Sequence, residues 1–225
     1  MKKEQVIRNI LFIIGLSILG FGARLLLLSD VGTSGIDALA IGIANLLNLS
    51  FGMVINFIGI TLIIIGTVLK RRGLEWKPIV TSILYGIIFD GWGGLLFNRL
   101  YTPTESFYKG IIFLAGLIIT ALGGAIYILM DISTSSLDYL MLAIRDRYNF
   151  SIQNSRIILE TLLVIGAWLV KGPIGIGTIC IMLLFGPALQ IFMKVLRPLF
   201  VKVSILKQVN KANGIKVQKY GLKNK

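Results

Sequence analysis

Two short polar runs interrupt an otherwise apolar chain, and both use the same residue types at the same spacing. The first, Asp30 to Asp37, reads D-V-G-T-S-G-I-D, and the second, Asp131 to Asp138, reads D-I-S-T-S-S-L-D. Asp30, Thr33, Ser34 and Asp37 thus correspond to Asp131, Thr134, Ser135 and Asp138. Such residues have two uses. Hydroxyls cap the helix that follows, and a carboxylate in its first turn meets the positive end of the dipole, each worth about 1 kcal/mol. Alternatively the runs break helices within a membrane, and their amides, hydroxyls and carboxylates bind a solute in a cavity. Gly32 and Gly35 would allow close approach. The sequence weighs these two readings evenly.

Other polar residues lie inside apolar runs, where a charge costs several kcal/mol. Glu160 falls about 12 Å and Asp90 about 18 Å into their runs at the helical rise, so both approach the midplane. Either can carry a proton or bind a cation. Arg156, one turn before Glu160, can instead lock it in a buried pair. Asn56 is similarly placed. Arg24 either snorkels, pairs with Asp30 or Asp37, or meets an anionic substrate.

Much chemistry is excluded. There is no histidine, and Cys180 is the single cysteine. An internal disulfide, a His/Cys zinc site and a histidine-assisted nucleophile are therefore ruled out. No phosphate-cradling or metalloprotease motif occurs. Enzymatic activity is not expected, and neither a metal nor a cofactor is called for.

The elements that must position these residues are membrane helices. Of 225 residues, 56% are hydrophobic, and the mean hydropathy is +0.85. About 20 apolar residues cross a bilayer. Six runs qualify: Ile10–Leu28, Phe51–Leu69, Pro78–Phe97, Gly110–Met130, Ile152–Val170 and Ile174–Leu196. Ile36–Leu47 and Leu137–Ile144 are too short and read as re-entrant or interfacial helices. Pro187 is expected to kink the last span, and Trp76 and Trp168 to sit at membrane interfaces. The first run lacks a small-residue cleavage site before Asp30 and reads as a retained span.

Charge sets the orientation. With six crossings and the N-terminus inside, the cytoplasmic segments hold 19 of the 23 lysines and arginines, including Lys70-Arg71-Arg72 and the tail. Arg24, Arg99, Lys109 and Lys171 fall outside. Both termini are expected in the cytoplasm. The net charge of +13 sits between spans and on the tail, so nucleic acid is not an expected partner. The tail instead suits anionic lipid head groups.

Shifting the chain by 101 residues superimposes Gly15 on Gly116, Gly22 on Gly123 and the two polar runs, with ten of 25 positions identical over residues 15–39. Ser50 falls on Ser151 and, after a one-residue slip, Tyr85-Gly86 on Phe185-Gly186 and Asp90 on Gln190. The expected organisation is a first membrane repeat over 1–100, a second over 101–198 and a basic tail over 199–225. Three crossings per repeat invert the second relative to the first, an arrangement recurrent in secondary transporters.

The glycine-rich first span, the L-S-D-V-G-T-S-G-I-D and N-L-S-F-G-M stretches, the K-R-R cluster and I-I-F-D-G-W resemble the YczE/YyaS/YitT family of bacterial membrane proteins. The resemblance covers roughly residues 5–197 and runs nearer to the YczE branch, since the tail is too short for the soluble domain of the YitT branch. It implies a multi-pass protein of the bacterial plasma membrane and supplies no functional residues. The expectation is an all-α bundle of about six spans and two short helices, working as a small secondary transporter or exporter. Asp30, Thr33, Ser34, Asp37, Asp131, Thr134, Ser135, Asp138 and Asn56 are its candidate solute ligands, with Glu160, Asp90 and Arg156 in coupling. A substrate-binding subunit of an energised transporter and a non-transporting scaffold are the alternatives. The partners expected are the bilayer, its anionic head groups and one small solute; a homo-oligomer is compatible with the composition.

Overall fold

The computed structural model describes residues 2–71, 73, 75–96 and 103–202, and these form eight α-helices. They are α1 (Lys2–Leu28), α2 (Gly35–Leu47), α3 (Phe51–Lys70), α4 (Lys77–Leu95), α5 (Ser106–Leu129), α6 (Ser136–Tyr148), α7 (Ile152–Leu169) and α8 (Ile176–Lys202). Among the described residues there is no strand. Helices α1, α3, α4, α5 and α8 are the five among the described residues that are long and apolar enough to cross a membrane. The sixth expected span, α7, has 18 residues and carries Gln153, Asn154, Arg156 and Glu160, which dilute its apolar character. The tail beyond residue 202 lies outside the described residues.

The helix ends follow from the sequence. Ser34, Ser50, Ser135 and Ser151 each cap the following helix, their hydroxyls accepting from the backbone N–H three residues on. At the other ends, Asn48, Arg71 and Asn149 are left-handed C-caps with φ of 50–56°. Asp30, Asp131 and Lys171 follow α1, α5 and α7 in the same conformation. Asp30 matches Asp131 and Asn48 matches Asn149 at the 101-residue offset, and Arg71 matches Lys171 after the slip. Both halves therefore stop their helices at the same places.

Packing follows the same correspondence. Helix α1 lies on α5, α2 on α7 and α3 on α6, while α1·α4 and α5·α8 form another matched couple. Exchanging the two halves maps α1·α5 onto itself, α2·α7 onto α3·α6 and α1·α4 onto α5·α8. The α1–α5 crossing is made by glycines: a Cβ at Gly15 would stand 2.6 Å from the Tyr127 amide nitrogen, and one at Gly116 would stand 2.9 Å from that of Leu26. Between membrane helices, small residues permit this close backbone approach, and dispersion contacts then hold the pair. The bundle's outer faces expose Phe57, Val68, Leu95, Phe107, Trp168 and Ile176. In water this would be an aggregation liability; in a bilayer it is the solvated surface. Trp76 and Trp168, at helix ends, are 66% and 72% exposed. Helix α8 continues through Pro187 and Pro198.

Candidate functional site

At the centre of the bundle is a cavity of about 160 Å³ with wall residues from all eight helices. Its polar wall is made by Ser34, Asp37, Ser135, Ser136, Asp138, Arg156 and Glu160, with Thr81, Ser82, Tyr85, Thr120 and Tyr127. Both polar runs therefore face one interior space. The serines that cap α2 and α6 stand on the cavity wall, so capping does not draw them away from it.

The two aspartates are held alike. Asp37 accepts from the Ser34 hydroxyl at 2.6 Å and the Tyr85 hydroxyl at 3.1 Å. Asp138 accepts from the Tyr127 hydroxyl at 3.3 Å. Each carboxylate also lies in the first turn of its short helix, where the dipole favours negative charge. Sequence comparison missed both tyrosines because they are not repeat mates. Tyr85 matches Phe185, and Tyr127 matches Leu26, yet all four line the cavity. The available signal was a Tyr deep in a long apolar helix of each half, where a phenol needs a partner.

Glu160 reaches across from α7 to the start of α2. It is 6% exposed, and a Cβ at Gly35 would lie 3.1 Å from its Oε2. Arg156 Nη2 lies 3.9 Å from Glu160 Oε1, and its guanidinium stands 5.4 Å from the Phe185 ring centre. At the matching place in the first half, Ile55 replaces Arg156 and Gly59 replaces Glu160, and Ser82 and Ser136 fill the space beside Gly59. The site is thus symmetric in its aspartates and asymmetric in its ion pair.

The other candidates lie elsewhere. Thr33 is buried with its hydroxyl toward the Ser34 carbonyl at 3.4 Å, and neither it nor Thr134 is on the cavity wall. Asp30 pairs with Lys109 at 2.7 Å on the surface. Asp131 lines a second, more open pocket of about 370 Å³ with Arg8, Trp76, Lys77, Ile132 and Ser133. Asp90 lies off the cavity wall, accepting from the Gly52 amide at 2.9 Å and standing 3.8 Å from Arg24. Arg24 also donates to the Phe89 carbonyl at 2.8 Å and lies 3.9 Å above that ring. Asn56 is off the wall as well, its Oδ1 buried without a hydrogen-bond partner among the described residues.

These features define a class: a multi-pass helical membrane protein with a central cavity walled by carboxylates and hydroxyls from both halves. The chain belongs to the family described as "Family of unknown function (DUF6198)", which it matches over residues 6–194. It is similar to "Uncharacterized protein YyaS" of Bacillus subtilis, with 34% identity over 81% of this chain and 90% of the relative. It is 28% identical to "Uncharacterized membrane protein YczE" of the same organism, over 84% of this chain and 87% of that one. An "Uncharacterized protein" of Haemophilus influenzae is 27% identical over 83% of both chains. No solved structure matches.

Proposed function

We propose that this protein is a small secondary transporter built from two inverted repeats, residues 1–100 and 101–198, with its solute site in the central cavity. The observation that carries this reading is that repeat mates from both halves, Ser34/Ser135, Asp37/Asp138 and Tyr85/Phe185, line that one cavity. A site on the pseudo-symmetry axis of inverted halves is what alternating access requires. Glu160, buried beside the site, is the proposed proton carrier, and Arg156 its partner.

The two ends of the cavity differ in the way such a cycle needs. Beside α1, the break at Val31–Thr33 is sealed: Gly177 N–H donates to the Val31 carbonyl at 2.9 Å, Thr33 N–H to the Pro173 carbonyl at 3.3 Å, and Lys109 holds Asp30. The mates of these residues are Ile132 for Val31, Arg8 for Lys109 and Asp131 for Asp30. They border the second pocket, together with Trp76 and Lys77, where Arg8 donates to the Met130 carbonyl at 2.5 Å. Thr81 lines both this pocket and the central cavity. By the positive charge of its flanks the open side is the cytoplasm, with both termini there. We read this as the inward-facing state. The outward-facing state would exchange the two gates.

Cysteine labelling tests this without knowing the solute. In a Cys180→Ser background, Ile36→Cys and Leu137→Cys place thiols on the cavity wall. The expected result is rapid labelling by an impermeant maleimide from the cytoplasmic side, and slower labelling from outside that Lys109→Gln accelerates. A cavity thiol reached from one side only, in every variant, would defeat the transporter reading and favour a scaffold.

A further inference from the structure

On the wall of the central cavity two phenols and a serine hydroxyl donate to its own carboxylates, Tyr85 and Ser34 to Asp37 and Tyr127 to Asp138, while Thr81, Ser82 and Thr120 donate to backbone carbonyls. Its one guanidinium, Arg156, stays between Glu160 and Phe185. The second oxygen of Asp138 accepts no hydrogen bond among the described residues. Ser136, 6% exposed and on the cavity wall, has no partner for its hydroxyl among them either. Buried polar groups are satisfied in nine cases of ten or more. The Ser136 hydroxyl and the second Asp138 oxygen, both in the first turn of α6, are thus free to accept from something that enters the cavity.

Charge points the same way. Three carboxylic side chains, Asp37, Asp138 and Glu160, face one arginine, so the wall offers more acceptors to a cation than counter-charges to an anion. A bare metal ion is a poor fit as well, because among the described residues no three carboxylates or thiols gather closely enough to hold one. The occupant has to span the space between the carboxylates. The remaining wall suits its body: Leu19, Ile181, Leu189 and the rings of Tyr85, Tyr127 and Phe185. Aromatic faces attract a cation within about 6 Å. A cavity of about 160 Å³ is close to the roughly 150 Å³ that accommodates a benzene-sized molecule.

We propose that the cavity binds a small organic cation with N–H donors, a protonated amine or guanidinium about the size of benzene, with Asp138 and Ser136 as its direct acceptors. This rests on the reading of the cavity as the solute site, and it names the class of solute.

Calorimetric binding to the full chain in detergent tests it, with 1,4-diaminobutane, guanidinium, tetramethylammonium and glutarate as probes. Expected are saturable binding of diaminobutane and guanidinium, at least tenfold weaker binding of tetramethylammonium, which lacks N–H donors, and none of glutarate. Asp138→Asn should weaken diaminobutane by tenfold or more, and Ser136→Ala by a few fold. Asp146→Asn, at an exposed ion pair with Arg145, should change nothing. Should Asp138→Asn not fold, Ser136→Ala and Tyr127→Phe decide. Tighter binding of glutarate, no binding of either N–H cation, or diaminobutane binding indifferent to these variants overturns the proposal. Such a result leaves the two-sided labelling of the cavity intact, whereas one-sided labelling defeats the transport reading even where diaminobutane binds.

Discussion

Asp90 and Asp37 are both carboxylates placed among apolar helix residues, and the fold uses them differently. Asp90 joins α4 to α1 and α3 through Arg24 and the Gly52 amide. Gly93 makes this possible, because a Cβ there would collide with the Arg24 guanidinium. Asp37 faces the cavity, held by Ser34 and Tyr85. Asp90→Ala should therefore destabilise the protein by about 1–3 kcal/mol, since it leaves the Gly52 amide without its acceptor and Arg24 without its counter-charge. Asp90→Asn, which keeps an acceptor for Gly52, should cost less. Thermal unfolding in detergent measures both. Little loss in Asp90→Ala would mean that Arg24 is satisfied by the Phe89 carbonyl alone. Tyr85→Phe should cost about 1 kcal/mol, the net worth of a typical hydrogen bond, and the same assay reads it.

At the scale of elements, the structure depends on the α1–α5 crossing and on the capped short helices. Gly123 and Gly94 make a clean contrast. A Cβ at Gly123 would run into the Leu19 backbone, whereas one at Gly94 meets nothing within 4 Å. Gly123→Ala should cost about 1–3 kcal/mol by overpacking. Gly94→Ala should be neutral or gain up to about 1 kcal/mol from helix propensity. Melting temperatures of the two variants compare them directly, and equal values would show that α1 and α5 can move apart without penalty. The caps offer a second contrast. Ser50→Ala and Ser34→Ala each remove a cap worth about 1 kcal/mol, yet only Ser34 also donates to a cavity carboxylate. Both should lower the melting temperature, and only Ser34→Ala should alter diaminobutane binding.

At the scale of the whole molecule, the proposed transport cycle rests on a difference between two matching ends. One end is tied by the Gly177–Val31 and Thr33–Pro173 backbone bonds and the Lys109–Asp30 pair, while its counterpart borders the second pocket. The ion pair is partly exposed, so its contribution is about 0.2–1 kcal/mol. Losing it should shift the gate equilibrium by about 1.5- to 5-fold. Raising ionic strength to 1 M screens the pair and should speed external labelling of Ile36→Cys in the parent, but not in Lys109→Gln. A salt effect of equal size in both would assign gate control to the backbone bonds alone.

Local chemistry made much of this legible in the sequence. Apolar length fixed the helical membrane class, since a bilayer admits few alternatives for an unpaired backbone. Hydroxyl caps marked where α2 and α6 begin, because capping needs only neighbours along the chain, and the 101-residue correspondence matched Ser50 to Ser151 just ahead of α3 and α7. The polar content of α7 was equally plain, although its length alone suggested an ordinary span. Tertiary structure decided what distant helices bring together: that Tyr85 and Tyr127 reach the two aspartates, that Glu160 meets Gly35, and that Asp90 turns away toward Arg24. Those contacts join positions on different helices, and the pairing depends on how the bundle packs, which no spacing along the chain encodes. The correspondence of the two halves was written in the residues, and the differences between their ends, the Lys109–Asp30 pair at one and the second pocket at the other, exist only in the packed whole.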